Sequence, residues 1–154
     1  MTVPDEGAPR DAEATIEWMN TRPLAAELGF VCEEMTKGHS RWTWDPPERW
    51  LNPNRSVPGA MIAALADHAA GTATVSVTGE DAYAVTVDLD LRFLRAAFKT
   101  PITVDADVVR RGRRLSFLHL QVRDADGDPV ADGMSTFFIE SSLGRAHPIG
   151  KEIP

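Results

Sequence analysis

The chain has 154 residues, 43% of them hydrophobic and 25% charged, which is enough for one globular domain with a proper core. Its formal charge of -7 argues against nucleic acid as the main partner, because phosphate binding needs a basic footprint. Cys32 stands alone, so no intramolecular disulfide and no cysteine-built zinc site is expected, and four histidines without ligand spacing imply no metal.

Residues 1–29 read as an N-terminal tail followed by short helices. Met1 to Asp11 is rich in proline, glycine and charge. This start has neither the basic onset nor the apolar run of a signal peptide, and no stretch approaches the roughly 20 apolar residues that cross a bilayer. With a lone cysteine suited to a reducing compartment, the expected location is the cytoplasm, with no membrane partner. Ile16 and Met19, with Glu13 and Glu17 between them, predict a short helix from Ala12 to Asn20 that ends before Pro23. A second helical turn from Pro23 to Leu28 is closed by Gly29. Phe30 to Met35 and Arg41 to Trp44 form a hairpin pair around Lys37-Gly38-His39, and the proline-rich run Asp45 to Pro58 is a loop.

That loop feeds an alanine-rich helix reaching Thr74, with Ser56 as its N-cap, Pro58 in the first turn and Gly59 keeping the entry free of bulk. Met61, Leu65, His68 and Thr72 follow helical spacing, as do Ile62, Ala66, Ala69 and Ala73. Asp67 stands among Ala60, Ala63, Ala64, Ala70, Gly71 and Thr74. A strip of such small residues is built for close burial, and a carboxylate in it is costly unless it is paired or used.

Beyond Gly79 the pattern changes to strands. Val85, Val87, Leu89, Leu91 and Phe93 alternate with Thr86, Asp88, Asp90 and Arg92, which predicts a long half-buried strand with the apolar set on one face. Ile102 to Val108 gives a second strand, Leu115 to Val122 a third and Val130 to Ile139 a fourth, with turns at Arg110 to Arg114 and Asp124 to Asp128. The latter lacks the sixth-position glycine and twelfth-position glutamate of a calcium loop, so it reads as a hairpin turn. Residues 141–154 form an irregular C-terminal tail. A hairpin, one helix and a four-strand antiparallel meander give an α+β architecture, with the sheet curled around the helix.

In this order and spacing, Asn52, Gly59, Leu65-Ala66-Asp67, the strand Val85 to Leu94, the run Val108 to Arg113 and the run Val130 to Phe138 resemble the hotdog-fold thioesterases, in the branch that includes the phenylacetate-pathway (PaaI-like) acyl-CoA thioesterases. The resemblance covers about residues 30–140 and implies the hotdog fold, an antiparallel β-sheet wrapped around one long central helix. It implies an acyl-CoA substrate, no cofactor, Asp67 as general base or nucleophile, and the Gly59 N–H as donor to the thioester carbonyl. Asn52 would place the carbonyl or the water, and Thr86 would support the site. Arg111, Gly112 and Arg113 fall where many relatives bind the coenzyme A moiety, although the arginine cluster reads equally as a solvated hairpin tip. The chain departs from the family at the helix entry, where Pro58-Gly59-Ala60 stands for the usual His-Gly-Gly.

Thioester hydrolysis needs a base or nucleophile and donors aimed at the developing oxyanion. Gly59 and Asp67 are eight residues apart on one helix, about 12 Å along its axis, too far to share one carbonyl carbon. The expected active form is therefore a homodimer with two sites at its interface; the sequence admits a dimer or a dimer of dimers. The rival readings are a non-catalytic acyl-CoA-binding hotdog protein, a hotdog hydratase, whose Asp-His motif is not found here, and a structural dimerisation domain. His68, about 100° around the helix from Asp67, reads as a core or interface residue. His119 has no recognisable partner in the sequence. Trp42, Trp44 and Trp50 read either as pocket walls or as core.

Overall fold

Gly29, at φ 75°, ends the N-terminal pair of helices and turns the chain into the sheet. The computed structural model describes residues 12–78 and 82–141, so the tails expected over 1–11 and from 142 onward lie outside the described residues. Helix α1 (Ala12–Asn20) and helix α2 (Pro23–Leu28) take the expected bounds, and the Gly29 N–H closes α2 on the Ala25 carbonyl. Asn20 then fastens α1 to strand β1 (Phe30–Thr36): its amide accepts from Cys32 N at 2.6 Å and donates to Cys32 O at 3.2 Å. Strand β2 (His39–Trp44) completes the first hairpin around Gly38.

The long helix α3 (Gly59–Val75) follows, and then β3 (Ala82–Phe93), β4 (Ile102–Arg111), β5 (Leu115–Arg123) and β6 (Pro129–Ser141). All six strands form one antiparallel sheet in the order β1-β2-β4-β5-β6-β3. This corrects the four-strand meander. Only β4, β5 and β6 are consecutive neighbours; β3 lies at the far edge against β6, and β4 pairs with β2. The cause lies in the link over residues 94–101, which is no tight turn. It crosses the end of the sheet, with Leu94 N bonded to Val130 O (2.9 Å) and Ala97 O accepting Val57 N (2.8 Å) in front of α3.

Helix α3 packs against every strand of the sheet. Ile62, Leu65, Ala66, Ala69 and Ala73 are buried in one core with Trp42, Trp44, Ile102, Val104, Leu118 and Leu120. The run of alanines lets the backbones approach closely enough for Ser40 Oγ to donate to the Ala69 carbonyl at 2.7 Å. The tryptophan question is thereby settled for two of the three: Trp42 and Trp44 are core residues, whereas Trp50 is partly exposed.

Strand β3 departs from strict alternation. The pairing with β6 shifts between Thr86 and Asp88, leaving Val87 as the extra residue of a β-bulge. On one side of the bulge Leu89 pairs with buried Ser135, and on the other Thr86 pairs with buried Phe137. Thr86 therefore joins the face of Leu89 and Leu91, while Val85 and Val87 leave it and are 41% and 58% exposed. The predicted apolar face is thus only partly realised.

Opposite β3, Gly133 allows a close backbone approach. A Cβ there would overlap the Asp90 carbonyl oxygen and come within 2.9 Å of Leu91 Cδ2. Both obstacles belong to the paired strand, so Gly133→Ala is expected to destabilise the fold by at least about 2 kcal/mol. Urea unfolding of the variant beside wild type measures this, and an unchanged midpoint would contradict the close approach.

Candidate active site

The entry to α3 is a closed loop. Asn52 N bonds to Ser56 O at 2.9 Å and Arg55 N to Asn52 O at 2.7 Å, with Arg55 held at φ 65°. Ser56 does not cap the helix as the sequence suggested. Its hydroxyl instead donates to Asn54 Oδ1 (2.7 Å) and accepts from Asn52 Nδ2 (3.1 Å). Pro58, extended at φ -64° and ψ 132°, occupies the N-cap and offers no side-chain bond. The bond from Val57 N to Ala97 O keeps the chain straight up to that point, which moves the helix start two residues beyond the expected cap. Met61 and Ile62 are the first N–H groups to find a helical acceptor, the Pro58 carbonyl, so Gly59 and Ala60 present their N–H groups at an open helix end.

That end opens on a cavity of about 290 Å³ whose lining includes Asn52, Ser56, Gly59, Phe93, Leu94 and Ala97. The Phe93 ring lies against the helix start: a Cβ on Gly59 would meet it at 3.3 Å. The partial charge of the helix N-terminus and the exposed donors suit a developing negative charge.

Two turns further along, half-buried Asp67 accepts a hydrogen bond from Thr86 Oγ1 at 2.9 Å. The bulge at Val87 is what turns Thr86 toward the helix. One chain therefore brings Asn52 together with Gly59, and Asp67 together with Thr86. It does not bring the two pairs together, since about 12 Å of helix separates them.

Arg111 ends β4, and Gly112 and Arg113 lie in the β4–β5 turn, closed by Gly112 N to Leu115 O at 2.7 Å. This turn is at the opposite end of the sheet from Gly59. Val108 N bonds to Gly38 O, and Gly38 N to Ser76 Oγ just past the C-terminus of α3. Within one protomer, then, the arginine cluster is as far from the helix entry as the helix is long.

His68, next in sequence to Asp67, packs edge-on against Trp42 with ring centroids 4.4 Å apart. Burial pushes its pKa down, and the neighbouring Asp67 charge offsets this only in part. It packs onto the core at intermediate exposure, which fits the reading of a core or interface residue. His119 does have a partner, Asp132 at 3.0 Å on the adjacent strand, a diagonal cross-strand pair that no local sequence signal announces. The described residues contain no cluster of His, Cys, Asp and Glu able to hold a metal. Sequence reasoning missed the hydroxyl network of Ser56 and the wall formed by Phe93. Both depend on where the crossover over 94–101 runs.

Residues 56–131 match the family model described as the thioesterase superfamily. A Saccharolobus solfataricus protein named as an esterase is 24% identical over 112 residues, covering 73% of this chain and 74% of its own length. A second esterase-named protein of that organism is 30% identical over 82 residues, 53% of this chain and 57% of its own length. Among solved structures, a thioesterase of Haemophilus influenzae superposes with a TM-score of 0.81 at 16% identity, covering 92% of this chain and 99% of its own. The PaaI protein of the E. coli phenylacetic acid degradation operon superposes with a TM-score of 0.72 at 23% identity, covering 79% and 87%. At these identities the superpositions establish a common fold.

The half-buried His68 generates a pH expectation. Its folded-state pKa lies below the ordinary value near 6.5, so on acidification the unfolded chain takes up a proton that the folded chain resists. Its contribution is present above that range and is lost as the pH falls through it. His68→Phe should therefore narrow the stability difference between pH 7.5 and pH 5.5 in urea unfolding. An identical acid loss in variant and wild type would show that His68 does not resist protonation.

Proposed function

We propose, from the premise that residues 56–131 belong to the thioesterase superfamily, that this thioester hydrolase acts on acyl-CoA, releasing free acid and coenzyme A. The observation that carries the proposal is the division of one helix into two incomplete half-sites. Its entry offers bare N–H donors at Gly59 beside Asn52, and its middle offers a carboxylate, Asp67, held by Thr86. Each half lacks what the other supplies.

The reaction is completed across a homodimer. Asp67 of one protomer either takes a proton from water or attacks the thioester carbonyl carbon itself; in the second case water then cleaves the resulting anhydride. The oxyanion that forms is held by the Gly59 N–H of the partner, assisted by its helix dipole, and Asn52 positions the carbonyl or the water. The C–S bond breaks and coenzyme A leaves as its thiolate, to be protonated. Two features support the dimer. Edge strand β3 displays Val85, Val87 and Phe93 to solvent, with Leu94 exposed just beyond it, and the strip Ala60, Ala63, Ala64, Asp67, Gly71 on α3 is not fully buried within one chain. Arg111, Gly112 and Arg113 are assigned to the phosphates of coenzyme A, for which an acidic chain needs local positive charge. An assembly that is a dimer or a dimer of dimers, and a cytoplasmic location, complete the reading.

A second reading, acyl-CoA binding without turnover, is favoured by one feature, the Pro58-Gly59-Ala60 entry in place of His-Gly-Gly. Thiol release from a panel of short, long and aromatic acyl-CoA esters separates the two. Asp67→Asn should lower turnover at least about a hundredfold, within the range of general-base effects. Turnover unaffected by that substitution would remove Asp67 from the site. Binding of the esters without turnover by wild type would establish the second reading.

The shared site has its own test. Gly59→Pro removes the donor N–H at a helix position that tolerates proline and should lower turnover about a hundredfold or more, whereas Gly59→Ala, which sets a Cβ against Phe93 but keeps the N–H, should lower it far less. Dissociating and reassociating Asp67→Asn with Gly59→Pro in equal amounts should restore about a quarter of wild-type activity, since half the dimers then carry one intact composite site. Failure to restore activity in dimers shown to have exchanged would argue that each site is built within one chain.

A further inference from the structure

We infer that Ser56 is a positioning residue that locks the carboxamide of Asn52 in one orientation at the helix entry, an inference that rests on the reading of Asn52 as part of the active site. The argument starts from a donor that cannot be reassigned. The backbone N–H of Ser56 points at the Asn54 side chain at 3.2 Å, so the atom facing it must be the amide oxygen, Oδ1. The Ser56 hydroxyl lies 2.7 Å from that same oxygen, so its single proton is committed to Asn54. What remains on Ser56 Oγ is acceptor capacity. The atom of Asn52 facing it at 3.1 Å is therefore the amide nitrogen and not the oxygen.

A chain of three bonds thus carries an orientation from the backbone to Asn52. The loop fixes Asn54, Asn54 fixes the hydroxyl, and the hydroxyl fixes which end of the Asn52 amide faces inward. Ser56 is only 4% exposed, so water does not compete easily for its hydroxyl, and it shares the cavity lining with Asn52 and Gly59. Within the described residues no other side chain bonds the Asn52 amide; its oxygen and second N–H keep fixed places for a thioester carbonyl or a water. The hydroxyl serves the site twice. By turning to the asparagines and not to the helix, it also leaves the Gly59 and Ala60 N–H groups uncapped.

The test is a double-mutant cycle on thiol release from the best acyl-CoA ester of the panel. Ser56→Ala should lower kcat about tenfold with KM changed less than about threefold, because it frees an amide to flip without removing a contact to substrate. In an Asn52→Ala background the same substitution should have no further effect on kcat. Asn54→Ala, which breaks the chain one step earlier and spares the buried position, should reproduce the fall and be equally silent without Asn52. Equal falls in both backgrounds would show that Ser56 only builds the loop, and a wild-type kcat in both Ser56→Ala and Asn54→Ala would show that it does nothing for the site. In either case an impaired Asn52→Ala variant leaves the reading of Asn52 standing. Wild-type activity in Asn52→Ala would overturn that reading and this inference with it.

Discussion

An α-helix cannot shorten to bring its ends together. At about 1.5 Å per residue, the eight steps from Gly59 to Asp67 set a distance that no side-chain rotation closes. The rest of the architecture serves the two ends of that span. The crossover over 94–101 and the loop over 52–56 furnish the entry, where Phe93 lies against Gly59 and Ala97 holds Val57. The bulged edge strand furnishes the middle, where Thr86 reaches Asp67. The alanines at 66, 69 and 73 let the sheet come close enough for Ser40 to reach the Ala69 carbonyl, while Ile62 and Leu65 fill the core beside them.

Much of this was legible in the sequence because it is local. The two N-terminal helices, the Gly29 stop, the first hairpin and the positions of Asp67 and Thr86 on a helix and the next strand all follow from spacing and from residues with one conformational role. What was not legible is long-range. Alternation along Val85 to Phe93 describes a strand but cannot report a single extra residue in its pairing, and one such residue exchanges the faces of everything before it. The place of β3 beside β6 is set by a crossover whose sequence, Leu94 to Pro101, carries no signal of direction. Ser56 illustrates the same limit on a smaller scale. A serine two residues before a proline reads as a cap, and only the extended path fixed by Val57 and Ala97 sends its hydroxyl elsewhere.

The charges of the chain divide between two tasks. On the crossover, Arg95 is bound to Asp124 and Asp128, and Thr100 donates to Asp45, so these groups hold the segment in place over the sheet end. Asp105 is similarly held between Arg41 and Arg123. The arginines of the β4–β5 turn differ from these. Arg111 and Arg113 are exposed at the far end of the sheet, a local concentration of positive charge on a chain of net negative charge.

The placement of β3 at the sheet edge also bears on the order in which the molecule assembles. Ala82 pairs with Ser141 and Phe93 with Ala131, so this strand cannot complete its pairing until β6 is in place. Such distant pairings close a large loop before they return any contact energy, and they are slow steps in folding. The hydroxyl that holds Asp67 therefore arrives late, and the helix spends the early stages of folding with its carboxylate unaccompanied. A chain emerging from the ribosome makes β3 well before β6, the strand it pairs with, so this edge of the sheet stays open until β6 is made.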